Sequence, residues 1–149
     1  MKKSLKIFII IFISIIGLIA IFNLALNILR ENSQLKDLKE IGDRLSSYQL
    51  EYYSELGFGN DREDVYSFSL KDTNDIKDFK KINDFFEKRY ENLTDLIKRE
   101  NPDHHILNDL KKFRRNDDIY YMDLDLMSEE KLYFYSPKTN KGFLIIFTI

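Results

Sequence analysis

The chain has 149 residues with 23 Lys plus Arg, 25 Asp plus Glu and no Cys, for a formal net charge of −2. Disulfide stabilisation and thiol catalysis are excluded, and the charge total gives no argument for nucleic-acid binding. The length accommodates one domain of ordinary size beside a short extra segment, and not two domains.

The extra segment is at the N-terminus. Ile7 to Leu29 is a run of 23 residues without a charge, although the mean hydropathy of the whole chain is −0.38. As a helix this run spans roughly 35 Å, enough to cross a hydrocarbon core of about 30 Å with some tilt. Residues 7–29 are therefore read as a single-pass transmembrane anchor, residues 1–6 as a cytoplasmic tail and residues 30–149 as one extracytoplasmic domain. Lys2, Lys3 and Lys6 precede the run, whereas Arg30 is offset at once by Glu31, which orients the N-terminus to the cytoplasm. A cleaved signal peptide is the competing reading. Against it stand a run longer than the usual h-region of about 7 to 15 residues and a poor cleavage sequence at Asn23-Leu24-Ala25. The part beyond residue 30 holds 19 basic and 25 acidic residues, a net −6, which discourages contact with nucleic acid or anionic headgroups. An exported domain without Cys suits a bacterial envelope and has to rest on its apolar core.

Beyond the anchor, Leu35, Leu38, Ile41, Leu45, Tyr48, Tyr52 and Leu56 recur at helical spacing and predict a juxtamembrane amphipathic helix within residues 30–56, stopped by Gly57-Phe58-Gly59-Asn60. Val65 to Leu70 alternates as a strand, with Tyr66, Phe68 and Leu70 opposite Ser67 and Ser69. A second helix is expected from a cap at Asp72 or Thr73, with the stripe Ile76, Phe79, Ile82, Phe86, Tyr90, Leu93 and Ile97. Asn101-Pro102 reads as the start of a third, carrying Ile106, Leu110 and Phe113 and closed by Lys111, Lys112, Arg114 and Arg115.

Ile119 to Met127 then alternates, placing Tyr120, Met122, Leu124 and Leu126 on one face and Tyr121, Asp123 and Asp125 on the other. Strands at Leu132 to Tyr135 and Phe143 to Ile149 follow, separated by turns at Ser128 to Lys131 and Pro137 to Gly142, and the last strand is apolar on both faces. The fold class is α+β: a transmembrane helix, amphipathic helices, then a small antiparallel sheet of three strands that Val65 to Leu70 joins as a fourth.

Little in the sequence suggests catalysis. His104 and His105, the two histidines, are adjacent and so diverge by about 100° on a helix, and they lack the i, i+4 spacing of helical zinc motifs. No G-x-S-x-G nucleophile motif is present, and Asp117, Asp118, Asp123 and Asp125 have no glycine-containing calcium loop, so neither a cofactor nor a metal is expected. Basic residues from Lys111 to Arg115 have a reason to be there in the helix dipole alone. Tyrosine is the more suggestive excess, nine in all, and Tyr121 shares a strand face with Asp123 and Asp125. Exposed tyrosines beside acids suit a contact surface, so Tyr121, Asp123 and Asp125 are the candidate partner-binding residues.

The function expected from these features is that of a non-enzymatic, membrane-anchored binding module in the bacterial envelope, capturing a protein partner as an accessory subunit or as an immunity protein against a basic toxin. Two alternatives are a structural subunit and a hydrolase centred on His104. The outline of a membrane helix running into an amphipathic helix and then an antiparallel sheet is similar to that of type IV pilin-like proteins. The hydrophobic run, however, has no glycine cleavage site before it and the central helices do not fit, so no family is assigned.

Overall fold

The computed structural model describes residues 3–55 and 62–148. The expected helix stop at Gly57 to Asn60, and Ile149, lie outside the described residues. Between Gly42 and Asp43 the chain divides into two compact units.

The first unit is built on α1 (Lys3–Asp37), 35 residues without a break. From Ile11 to Leu29 its large apolar side chains are 47–67% exposed, and an 18-residue window within Ile11–Asp37 reaches a mean hydropathy of 2.4. A helix that is apolar all round and open all round is long and apolar enough to cross a membrane.

The amphipathic helix expected across residues 30–56 is not formed as such. Helix α1 ends at Asp37, a short 3-10 turn occupies Gly42–Arg44, and β1 (Leu45–Glu55) takes the rest. Ser46, Ser47, Tyr48, Tyr52, Tyr53 and Ser54 are poor helix formers, and the aromatic ones favour a pleated surface. The misleading period comes from irregular pairing. Against β2 (Arg62–Leu70) the register of β1 shifts between Leu45 and Ser47 and again between Leu50 and Tyr52. Each shift inserts one residue and turns the following side chains over. Tyr48 and Leu50 thus lie opposite Phe68 and Tyr66, whereas Tyr52 lies opposite Val65 on the other face.

The second unit contains one sheet. With β3 (Lys80–Lys81), β4 (Tyr120–Leu126), β5 (Glu129–Ser136) and β6 (Lys141–Thr148), the six strands run in the order β1-β2-β6-β5-β4-β3, and every described pairing is antiparallel. The α+β class is as the sequence indicates, with two strands more than expected: β1, and the short β3. Because β6 is paired on both sides and covered on both faces, Phe143 to Ile146 are all at most 1% exposed, which accounts for its unbroken apolar sequence.

Helices α2 (Asp84–Glu100) and α3 (His105–Phe113) supply the core of one face. Phe86, Leu93, Ile97, Ile106, Leu110 and Phe113 form one cluster with Val65, Tyr121, Leu132, Phe134, Phe143 and Ile145 of the sheet. Phe113 stands edge-on to Phe143 at 5.2 Å, and Phe86 stands edge-on to Phe134 at 5.9 Å. Aromatic pairs at such spacing contribute roughly 0.5–1.5 kcal/mol each beyond the area they bury.

Both helices begin later than the starts expected at Asp72 or Thr73 and at Asn101-Pro102. Asp72 Oδ1 accepts from Asn74 N at 2.9 Å in a local turn, so Ile76 and Phe79 precede the helix and Asn83 is the cap. Asn101 ends α2, its N–H donating to Ile97 O at 2.8 Å, and His104 caps α3.

The opposite face carries Tyr66, Phe68, Leu144, Ile146, Tyr133 and Tyr135, all at most 2% exposed. Phe68 stacks on Tyr135 at 5.9 Å and lies directly over Gly142, where a Cβ would collide with its ring. The turn between β5 and β6 is fixed by Asn140 at a φ of 48°. Its Oδ1 accepts from Leu70 N and Tyr135 Oη, and its Nδ2 donates to Leu70 O, which ties the hairpin to the end of β2.

Candidate partner-binding site

Asn83 sets the start of α2 against β4, since its Oδ1 accepts both the helix N–H of Phe86 at 3.0 Å and the hydroxyl of Tyr121 at 3.1 Å. Phe86 enters the core, and the helix period then directs Phe85, Lys88, Arg89 and Asn92 along a neighbouring face. Together with Asp123 and Asp125 of β4 these four line a cleft of about 310 Å³. Phe85 is 55% exposed, an apolar ring left open at the mouth of a polar groove.

Arg89 organises the floor of the cleft. Its Nε donates to Asp123 Oδ1 at 3.3 Å, and a terminal nitrogen meets Glu130 Oε2 at 2.8 Å. Burial alone would lower the guanidinium, but the hydrogen bonds and charges of Asp123 and Glu130 together hold it above its ordinary value. Asp125 sits opposite Glu130 in the β4–β5 register, is exposed, and has no ion pair among the described residues.

Of the three residues singled out in the sequence, Asp123 and Asp125 line this cleft and Tyr121 does not. Tyr121, Asp123 and Asp125 do share a face, but it is the face that the helices cover. Tyr121 is 5% exposed, packs at 5.2 Å from Phe86 and anchors the cap of α2, so it serves the core and is not an exposed anchor for a partner. Phe85 supplies the exposed aromatic here. Its signal in the sequence was the Phe85-Phe86 pair on a helix, of which only one ring can follow the buried stripe.

A second polar cluster occupies the same face of the sheet near the other edge. Glu63 of β2 lies opposite Ser54 of β1 and Phe147 of β6, is fully buried, and neither carboxyl oxygen has a hydrogen-bond partner among the described residues. Burial pushes its pKa up to about 8, helped by the nearby charges of Glu100 and Asp64. Glu100, at the end of α2, accepts from Tyr52 Oη at 3.2 Å and from the Ser54 hydroxyl. Burial, and less strongly Glu100, raise Tyr52 above its ordinary value, although its hydrogen bond with Ser54 works the other way. Sequence reasoning missed Glu63 because the strand was begun at Val65. Extended two residues back, the same alternation puts Glu63 on Val65's face.

His104 stands 4.9 Å from the Tyr52 ring, edge-on, and 4.5 Å from the ring of His105. Its Nδ1 accepts from Ile106 N at 3.3 Å as the cap of α3, and burial and then the neighbouring His105 lower its pKa. In the basic run, Arg114 pairs with Glu87 and lies 5.5 Å above the Phe86 ring. Asp118 accepts from Ser136 Oγ and Lys138 N, and so braces the β5–β6 turn. Among the described residues, no three or more His, Asp or Glu side chains are grouped so as to hold a metal ion. Comparison of the chain with protein-family models, with curated proteins and with solved structures finds no match.

Proposed function

We propose that this protein is a non-enzymatic binding module, tethered by α1 and displayed outside the cytoplasmic membrane, that captures a protein partner in the cleft between α2 and β4. The carrying observation is the open Phe85 ring beside Asp123 and Asp125 in a cleft of about 310 Å³. An exposed aromatic flanked by polar and charged groups has the composition of an interface centre with its rim, where truncation of the anchor commonly costs about 2 kcal/mol or more. Other polar groups that the sequence offered serve caps, turns and ion pairs, as Asn83, Asp118 and Arg114–Glu87 do. Support for the orientation comes from Lys2, Lys3 and Lys6 ahead of the uncharged run.

The test is photo-crosslinking in living cells with a photoreactive residue placed at position 85 or 125 of the full-length protein. A discrete adduct from these two positions, and none from the solvent-facing position 108 on α3, is the expected result. Absence of an adduct from both cleft positions overturns the reading.

A further inference from the structure

We infer that the partner enters this cleft as an extended strand that lengthens the sheet along β4, and that it brings basic side chains to Asp125; this deepens the partner-binding reading and rests on it. The sheet is incomplete at this edge. Strand β3 has only two residues and pairs with Tyr120 and Tyr121 alone, so Met122 to Leu126 are paired with β5 on one side and with no described strand on the other. Along such an edge alternate residues turn their N–H and C=O outward, and the natural complement of a row of outward donors and acceptors is another strand.

Beyond Tyr121 the edge carries charges at Asp123 and Asp125 but no described strand covers it. It has no proline, and Leu126 and Met127 at its end are themselves open, with Leu126 38% exposed and Met127 fully so. On the face that α2 covers, Phe85, Lys88 and Asn92 line the cleft opposite Asp123 and Asp125, within reach of side chains that an added strand would turn to that face. Binding between an edge strand and a helix gives affinity through the main chain and specificity through alternate side chains.

Charge selects the occupant. The cleft is lined by Lys88 and Arg89 as well as by Asp123 and Asp125; Arg89 is held by Asp123 and Glu130, and Asp125 on the edge has no ion pair among the described residues. A second copy of this chain pairing through β4 in antiparallel register would set these carboxylates against one another, which is unfavourable. A foreign strand with a Lys or Arg on that side meets Asp125 instead, and its alternate apolar residues run beside Leu124 and Leu126 on the other face.

The experiment uses full-length protein in neutral-lipid nanodiscs, with empty nanodiscs as the blank. The probe is a capped peptide of alternating valine and lysine, about eight residues long, a length typical of a strand. Its binding should protect alternate amides between Met122 and Leu126 from hydrogen exchange, with period two. N-methylating alternate residues of the peptide along one edge should weaken binding about ten-fold or more, as should Asp125→Lys, while Asp125→Lys should now favour the valine–glutamate peptide. Equal binding of the N-methylated peptide, protection without the alternation, or dimers joined through β4 would each overturn strand addition. If those results appear while photo-crosslinks from positions 85 and 125 persist in cells, strand addition is wrong and the partner-binding reading stands. Loss of the crosslinks removes both.

Discussion

The buried carboxyl of Glu63 makes the fold sensitive to pH in a direction opposite to that of ordinary acid unfolding. Its pKa rises from an ordinary 4.5 to about 8 because it is fully buried and has Glu100 and Asp64 nearby. In the unfolded chain the group ionises near 4.5, so between these two values the folded state binds one more proton than the unfolded state. Stability from this group is therefore complete below about pH 4.5 and falls by about 1.36 kcal/mol per pH unit until about pH 8. The full span corresponds to about 5 kcal/mol, of which roughly 3 is already lost at pH 7, a large part of a typical domain stability of about 5–15 kcal/mol. Glu63→Gln has nearly the same shape and no charge. It leaves a buried amide unpaired at a cost of about 1–3 kcal/mol, but that cost does not depend on pH. Urea unfolding of wild type and variant in mild detergent, followed by far-ultraviolet circular dichroism, measures their difference at each pH. The variant should gain on the wild type by roughly 3–4 kcal/mol between about pH 5 and pH 9. A difference that stays flat across that range would refute the reasoning, since every other titrating group is common to both chains.

Phe86→Ala, which empties a fully buried position between Tyr121, Tyr90 and Phe134, should cost about 3–5 kcal/mol in the same unfolding assay. Gly142→Ala should destabilise by about 1–3 kcal/mol or more, because the new Cβ meets the Phe68 ring; Phe68→Leu in the same chain should recover part of the loss, and additive costs would argue against that contact. Asn140→Ala removes three hydrogen bonds and sets a non-glycine residue without a local partner at positive φ, so it should cost more than Asn140→Gly, which relieves the backbone alone. For topology, a periplasmic reporter fused after Ile149 should be active and a cytoplasm-only fluorescent reporter dark; the reverse would sink the inside-to-outside orientation.

Elements whose packing is regular were legible in the sequence, and those set by local hydrogen bonding were not. The stripe Phe86, Leu93 and Ile97 and the triplet Ile106, Leu110 and Phe113 are buried as helical spacing demands, and the unbroken apolar run after Lys141 is the doubly covered β6. Helix starts were misplaced because Asp72, Asn83, Asn101 and His104 are all competent caps or turn formers, and sequence alone does not rank an Asx turn at Asp72 against a cap at Asn83. Strand β1 was read as helix because its two irregularities space Leu45, Tyr48 and Tyr52 three and four residues apart, as one side of a helix would.

The candidate site was half legible for a related reason. Alternation along β4 correctly groups Tyr121, Asp123 and Asp125, since period two fixes which side chains share a face. It does not fix which face the helices take, and the presence of two acids favoured the solvent. Arg89 resolves the conflict. By reaching from α2 to Asp123 and Glu130 it lets the helices cover the apolar half of that face, around Tyr121 and Phe134, while these two acids stay partnered at the open end and Asp125 is left exposed. The cleft exists at this boundary: beside its apolar stripe α2 presents Phe85, Lys88 and Asn92 instead of core side chains, and beyond Tyr121 β4 has no described neighbouring strand on its outer side. A groove placed where two kinds of packing run out together is a property of the register between α2 and β4, which no single segment of the sequence encodes.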